Sequence, residues 1–276
     1  MVLMLRNLPK LGYSGANVET ISSVFTTWGP KINSIVIAIA NGLIISLIPH
    51  IVSLYVKKDN DGVNKIFNKS LKIVLLVIIP LSVFLSLNAN SIWMIFYGES
   101  KFGPSIIRFN ILLTILDSIY IIVNSLLQSL SKYKLLFISV ILGILINIGL
   151  DVPLMHLFNS IGLNAYHGAI FSTFIGLSIS VIIPIIYLKK ELKFSFNDTL
   201  KTLPRTLFNI IVVIIVDLLL SMILPMESTS RFVQIFNICI LGIVTVPLYL
   251  VLSKNYLSEV LPEKILKLLR KFKIPV

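Results

Sequence analysis

The sequence predicts an all-α membrane protein, a bundle of about seven transmembrane helices. Hydrophobic residues make up 56% of the 276 positions and charged residues only 13%, with a mean hydropathy of +0.95. This lies outside the range of soluble globular domains. Seven apolar stretches also reach the length of about 20 residues that a helix needs to cross roughly 30 Å of hydrocarbon. The connections between these stretches alternate between lysine-rich and lysine-poor, as the loops of a multi-pass protein do.

In chain order the stretches run from Ile32 to Val56, Leu71 to Tyr97, Ile106 to Leu130, Leu135 to Phe158, Gly168 to Leu188, Leu203 to Leu224 and Phe232 to Ser253. Lys57, Lys58, Lys65, Lys69 and Lys72 follow the first. Lys132 and Lys134 follow the third, and Lys189, Lys190, Lys193, Lys201 and Arg205 follow the fifth. Together with the basic tail, that side holds 18 of the 24 basic residues. The other side keeps Arg6, Lys10, Lys31, Lys101, Arg108 and Arg231. The positive-inside rule makes the richer face cytoplasmic, with the carboxyl terminus inside. The net charge of +12 therefore reflects loop topology and the membrane surface, with no nucleic-acid partner implied.

Residues 1–31 are then an extracellular segment, although "MVLMLRNLPKLG" is too short to span and lacks the features of a cleaved signal. An odd helix count with an outside amino terminus suggests that an upstream helix-loop is missing and that the chain is the carboxyl-terminal part of a longer protein. The domain reading is thus 1–31 extracellular, 32–253 transmembrane bundle and 254–276 a basic cytoplasmic tail. In that tail Ile265, Leu268, Leu269 and Phe272 oppose Lys264, Lys267, Arg270, Lys271 and Lys273, a pattern that draws a helix to anionic lipid.

Pro49, Pro80, Pro153, Pro184 and Pro247 fall inside the stretches, with Pro104 and Pro204 near starts. Each removes a backbone donor and leaves a carbonyl that hydrocarbon cannot satisfy. Kinks in most helices fit a bundle that bends.

Polar residues at membrane depth are costly, and so they carry most of the information about function. The candidates for the wall of a substrate cavity are Asp117, Asn124, Asp217, Asn41, Asn147 and Asp151. Each asparagine reads either as an interhelical hydrogen bond worth about 0.6–2 kcal/mol or as part of a wet path. Asp117 and Asn124 are seven residues apart, which puts them on one helix face.

Other residues carry less chemistry. Asp59 and Asp61 have the spacing of a metal-binding acidic pair but precede Gly62 in a basic loop, where a solvated turn is the simpler reading. His50, His156 and His167 lack metal-ligand spacing. Cys239 sits in an apolar run and reads as a buried packing residue. No nucleophile elbow or phosphate loop is present, so no enzyme, metal or cofactor is expected.

The order of features is similar to that of a known family. The segment "NGLIISLIPHIVSLYVKKDNDGVNKIFNKSLKIVLLVIIPLSVFLSLNANSIWMIFYG" resembles a helix ending in "SLIP", a basic loop, a proline-kinked helix and an aromatic-Gly turn. The hairpin from Asn147 to Gly176 resembles another element of the same proteins. They are the MurJ-type lipid II flippases and stage V sporulation B-like transporters of the multidrug/oligosaccharidyl-lipid/polysaccharide (MOP) superfamily. The resemblance implies the last seven of fourteen helices. It further implies alternating-access movement of an undecaprenyl-linked saccharide to the outer leaflet. The family's cavity arginines come largely from the other half, and no arginine lies deep in a stretch here. A cation-coupled multidrug exporter of the same superfamily, and an inactive fragment, are the alternatives.

Overall fold

The computed structural model describes residues 1–226 and 228–260. Two short helices, α1 (Val2–Asn7) and α2 (Gly15–Ser23), lead into the long α3 (Gly29–Val56). Next come α4 (Asn60–Ile73), α5 (Ile79–Leu87) and the short α6 (Ala89–Tyr97). The remaining helices are α7 (Gly103–Ser129), α8 (Tyr133–Ser160), α9 (Ala165–Glu191), α10 (Asn197–Ile223) and α11 (Arg231–Val260). Among the described residues, seven helical segments are long and apolar enough to cross a membrane, the first two being Gly15–Val56 and Asn60–Leu87. Among the described residues there is no strand. The all-α bundle read from the sequence is the architecture found.

The apolar stretch from Leu71 to Tyr97 turns out to be two elements. The helix starts earlier, at Asn60, and breaks at Asn88, whose backbone leaves helical geometry at φ −93° and ψ 21°. The break is held by side-chain chemistry: the Asn88 amide donates to Phe84 O at 3.0 Å, capping the carbonyl end of α5. The amino-terminal part of α4 is polar on one side, so helix formation there rests on a cap. Asp59 accepts from the Gly62 N–H at 2.8 Å, which gives the acidic pair of this loop a structural role as the start of α4.

Two turns of π-helix interrupt the first two spans, at Val24–Trp28 and Val74–Ile78. Each lies just ahead of a proline, Pro30 or Pro80. A ring at that position clashes with the carbonyl four residues back, and the wider π turn moves it away. On the basic face, helices α3, α7 and α9 all end in a left-handed residue that is not glycine: Lys58, Ser131 and Lys193. On the opposite face the residues with positive φ are glycines, Gly12, Gly98 and Gly162.

Helix α7 is the central strut, packing against α3, α5 and α9. Toward the opposite face Ile106, Ile107 and Ile111 join Met4, Leu8, Trp93, Phe102 and Tyr166 in one core. Toward the basic face Ile122, Val123 and Leu126 join Ile51, Phe67, Leu188 and Phe194 in another. There Asn68 donates to Ser195 O and accepts from Thr199 Oγ1, both at 2.7 Å, tying α4 to the start of α10. Helices α8 and α9 form a hairpin, while α10 and α11 pair on the far side of α5 and α6. Large apolar residues such as Ile144, Leu145, Leu219, Met222 and Phe236 face outward. In a bilayer these meet lipid, so close packing must come from small and polar residues instead. Cys239, expected to be buried, is exposed, on the same outward side of α11 as Phe236 and Ile243.

The amphipathic helix read at residues 262–276 lies outside the described residues.

Candidate functional site

The polar residues at membrane depth fall into three groups. The first is the α8–α9 seam. Gly143, Asn147 and Asp151 on α8 face Ser172, Thr173, Gly176 and Ser180 on α9. The backbones approach so closely that a Cβ on Gly143 would lie 2.5 Å from Gly176 O, and one on Gly176 would lie 2.6 Å from Gly143 O. The small-residue stripe Gly168, Ala169, Ser172, Thr173 and Gly176 is what permits this contact. Across it, Asn147 Nδ2 donates to Thr173 Oγ1 at 3.0 Å and Ser172 Oγ donates to Asp151 at 3.3 Å. Asp151 is only 6% exposed, so the hydroxyl is a substantial part of what solvates it.

The seam does not close completely. A cavity of about 230 Å³ remains, lined by Asn147, Thr173, Ser180 and, from α7, Tyr120, together with the apolar Val140, Leu177 and the outward-facing Ile144. Tyr120 is three residues from Asp117 and four from Asn124, so all three share one face of α7. Asp117 is half-buried and makes no hydrogen bond among the described residues. The Asn124 side-chain oxygen is buried without a partner. Polar groups left open at this depth are uncommon in a purely structural core.

The third group is separate. Asp217 on α10 is 2% exposed and accepts from Asn88 Nδ2 at 3.2 and 3.3 Å. Pro80, Phe84, Leu87 and Ile214 close a narrow apolar slot around it. This pair locks α10 to the break between α5 and α6, well away from the seam. Asn209 is likewise structural, donating to Leu252 O and Ser253 Oγ of α11 at 3.1 and 3.0 Å. Asn41 is exposed on α3.

Of the six residues singled out in the sequence, Asn147 therefore lines the cavity and Asp117 and Asn124 share a helix face with its Tyr120. Asp151 and Asp217 are held by neighbours, and Asn41 stands apart. Sequence reasoning missed Tyr120, took Thr173 only as one of a stripe of small packing residues, and missed Asn88. The first two belong to one seam only through the packing of three helices, and Asn88 looked like one more residue of an apolar run.

Among the described residues no group of three or more His, Cys, Asp or Glu side chains is placed to hold a metal ion. His167 Nε2 lies 2.9 Å from Ser105 Oγ, between the rings of Phe109 and Tyr166. Nearby, the Tyr13 hydroxyl accepts from the Ala165 N–H at 3.1 Å, fastening the amino-terminal segment to the start of α9. Burial pushes the Tyr13 phenol above its ordinary pKa, and the bond from Ala165 opposes the shift.

The described residues form a multi-pass helical bundle with a cavity of mixed lining between three of its helices, and comparison with known proteins shows what this bundle resembles. The MatE family model matches residues 26–152. The "Lipid II flippase MurJ" of Bacillus subtilis (strain 168) is 27% identical over 188 residues, which cover 66% of this chain and 33% of that protein. The chain resembles the MurJ-like flippases of the MOP superfamily. It spans about a third of the length of the curated relative it matches. None of the solved structures matches it.

Proposed function

We propose that this bundle takes part in moving an undecaprenyl-linked saccharide, such as lipid II, from the inner to the outer leaflet of a bacterial plasma membrane by alternating access. The observation that carries the reading is the cavity between α7, α8 and α9, where Asn147, Thr173, Ser180 and Tyr120 are set among the apolar Val140, Ile144 and Leu177. A saccharide crossing hydrocarbon needs hydroxyl and amide partners in place of water, and this wall offers both. Asp117 and Asn124 extend the same wall along α7, while Asp151 and Asp217 hold the helices that would rock. Asn41, exposed on α3, faces the path in this reading. The likeness to a lipid II flippase supports the substrate class.

The remaining assignments belong to the same proposal. The lysine-rich face is cytoplasmic, residues 254–276 rest on anionic lipid, residues 1–31 are extracellular, and a second lobe completes the pathway. The chemistry is transport, with no bond made or broken. The test is reconstitution in vesicles with a fluorescent undecaprenyl-linked saccharide, reading its exposure on the outer leaflet. Protein-dependent exposure that falls in Asn147→Leu supports the reading; exposure at the rate of empty vesicles, together with no binding of the labelled lipid by this chain, overturns it.

One observation favours a second reading. Asp117 has no hydrogen-bond partner among the described residues, as a carboxylate awaiting a coupling cation would not. In a cation-coupled drug exporter, Asp117→Asn would abolish gradient-driven efflux. Unchanged efflux in that variant removes the alternative.

A further inference from the structure

A pocket of about 510 Å³ lies outside the cavity assigned above, on the face opposite the lysine-rich loops, between α6, the loop after Tyr97 and the α10–α11 connection. Trp93 backs its wall within a cluster of three rings. Its centroid is 5.8 Å from that of Trp28 and 4.7 Å from that of Tyr97, and the Tyr97 hydroxyl donates to Trp28 O at 3.0 Å. Because Trp93 is only 1% exposed, it holds the wall in shape and leaves contact to its neighbours. The exposed lining residues are Asn90, Glu99, Lys101 and Thr229, with Ser100 and Ser228 among the half-buried ones.

Two arginines reach this wall from other helices. Arg108 of α7 donates through Nη2 to Asn90 Oδ1 at 3.3 Å. Its Nε is sealed from water, but its Nη1 makes no hydrogen bond and keeps access to solvent. Arg231, exposed at the start of α11, crosses to the loop after α6, where a Cβ on Gly98 would lie 3.5 Å from its Nη2. Among the described residues neither arginine makes an ion pair, nor does Lys101 or Glu99. Even with Glu227, which lies outside the described residues, the cations of these segments outnumber the carboxylates. Hydroxyls add to the donors. Ser100 Oγ accepts from the Gly103 N–H at 3.0 Å and Ser228 Oγ from the Ser230 N–H at 3.2 Å, which leaves each hydroxyl proton for another acceptor. A wall of unpaired cations and free donors is matched by an anion with several acceptor oxygens.

We infer that this pocket binds a phosphate group carried by the headgroup of a membrane lipid. Phosphate oxygens suit the forked donors of two guanidinium groups and the adjacent hydroxyls, and the charge meets cations that nothing else neutralises. The lipid is argued from what flanks the pocket. Met222 and Ile223, at the end of α10, are 81% and 82% exposed, and Phe232, next to Arg231, is 85% exposed. Side chains this apolar and this open at the ends of two spans lie against acyl chains, while Arg231 beside them reaches the headgroup level. The inference stands on this geometry and does not rest on the transport reading. Its test measures binding without transport, so either can fail without the other.

Equilibrium dialysis of the purified full chain in detergent against radiolabelled inorganic phosphate, at fixed ionic strength, is expected to show saturable retention. Dihexanoyl-phosphatidylglycerol, a short-chain lipid with the same group, should displace the label at about tenfold lower concentration than unlabelled phosphate, because its chains add apolar contact. Dihexanoylglycerol, which lacks the phosphate, should not displace it. Arg231→Gln, a change at an exposed position, is expected to weaken retention about tenfold, whereas Glu99→Gln removes a repelling charge and should strengthen it. Retention that does not saturate, or that is unaltered in Arg231→Gln, overturns the inference. Displacement by dihexanoylglycerol as effective as that by the phospholipid overturns it as well. Displacement by unlabelled phosphate with none by the phospholipid would make a free anion the ligand and overturn the lipid assignment.

Discussion

The Tyr249 hydroxyl, on α11, donates a 2.8 Å hydrogen bond to the backbone carbonyl of Leu76. Leu76 stands four residues before Pro80, so its carbonyl has lost the helical N–H that would otherwise satisfy it. Both partners are buried. A proline kink in one span is thus completed by a side chain from another, as hydrocarbon requires.

This relationship predicts a specific pattern of stability. Tyr249→Phe leaves Leu76 O without a donor in an apolar setting and is expected to destabilise the protein by about 1–3 kcal/mol. Pro80→Ala restores the N–H at position 80 and gives the carbonyl a local partner. In the Pro80→Ala background, Tyr249→Phe should therefore cost much less. Thermal unfolding of the four proteins in detergent checks this, and equal losses in both backgrounds would refute it.

The α8–α9 seam makes a steric prediction. A methyl group on Gly143 meets Ser180 Oγ and, at 2.5 Å, Gly176 O. Ser180 can rotate, but the backbone of α9 cannot yield without separating the helices. Gly143→Ala should destabilise by about 1–3 kcal/mol. Gly149→Ala, with nothing within 4 Å of its Cβ, is the control and should be neutral or slightly stabilising. Similar melting temperatures for the two variants would mean that the seam is looser than described.

The Asn88–Asp217 pair joins the break between α5 and α6 to α10. Removing only the amide strands a carboxylate in an apolar slot, whereas removing both groups strands nothing. Asn88→Ala is therefore expected to destabilise more than the double variant Asn88→Ala with Asp217→Leu, by about 1–3 kcal/mol. Denaturation in detergent decides it, and strict additivity of the two losses would rule out the coupling.

How much of this was legible beforehand depended on the range of the interactions involved. The seven spans were readable because a helix crossing lipid satisfies its own backbone and needs only a long apolar run. The stripe from Gly168 to Gly176 was also readable, since small residues at helical spacing mark close approach on one helix alone. The break at Asn88 was hidden because its amide answers to Asp217, far away in sequence. The cluster of Trp28, Trp93 and Tyr97 was invisible for the same reason: two apolar segments had to fold against each other before their rings met. Cys239 was misplaced because an apolar run in a membrane protein says nothing about whether lipid or protein surrounds it. Of the candidate cavity, Asn147 was visible as a polar residue at depth, but Tyr120 was not.

The cavity yields a last prediction, about water. Asn147 lines it, while the next residue, Ile148, is exposed on the outward surface of α8, where lipid lies. A thiol reacts through its thiolate, which forms only where water reaches it. With Cys239 replaced by Ser, Asn147→Cys should therefore react with a membrane-impermeant maleimide about tenfold or more faster than Ile148→Cys, since hydrocarbon disfavours the thiolate at the latter. Mass spectrometry of the labelled protein in membranes gives the two rates. Equal rates, or faster labelling at position 148, would mean that the cavity is dry and that Asn147 serves only to hold Thr173.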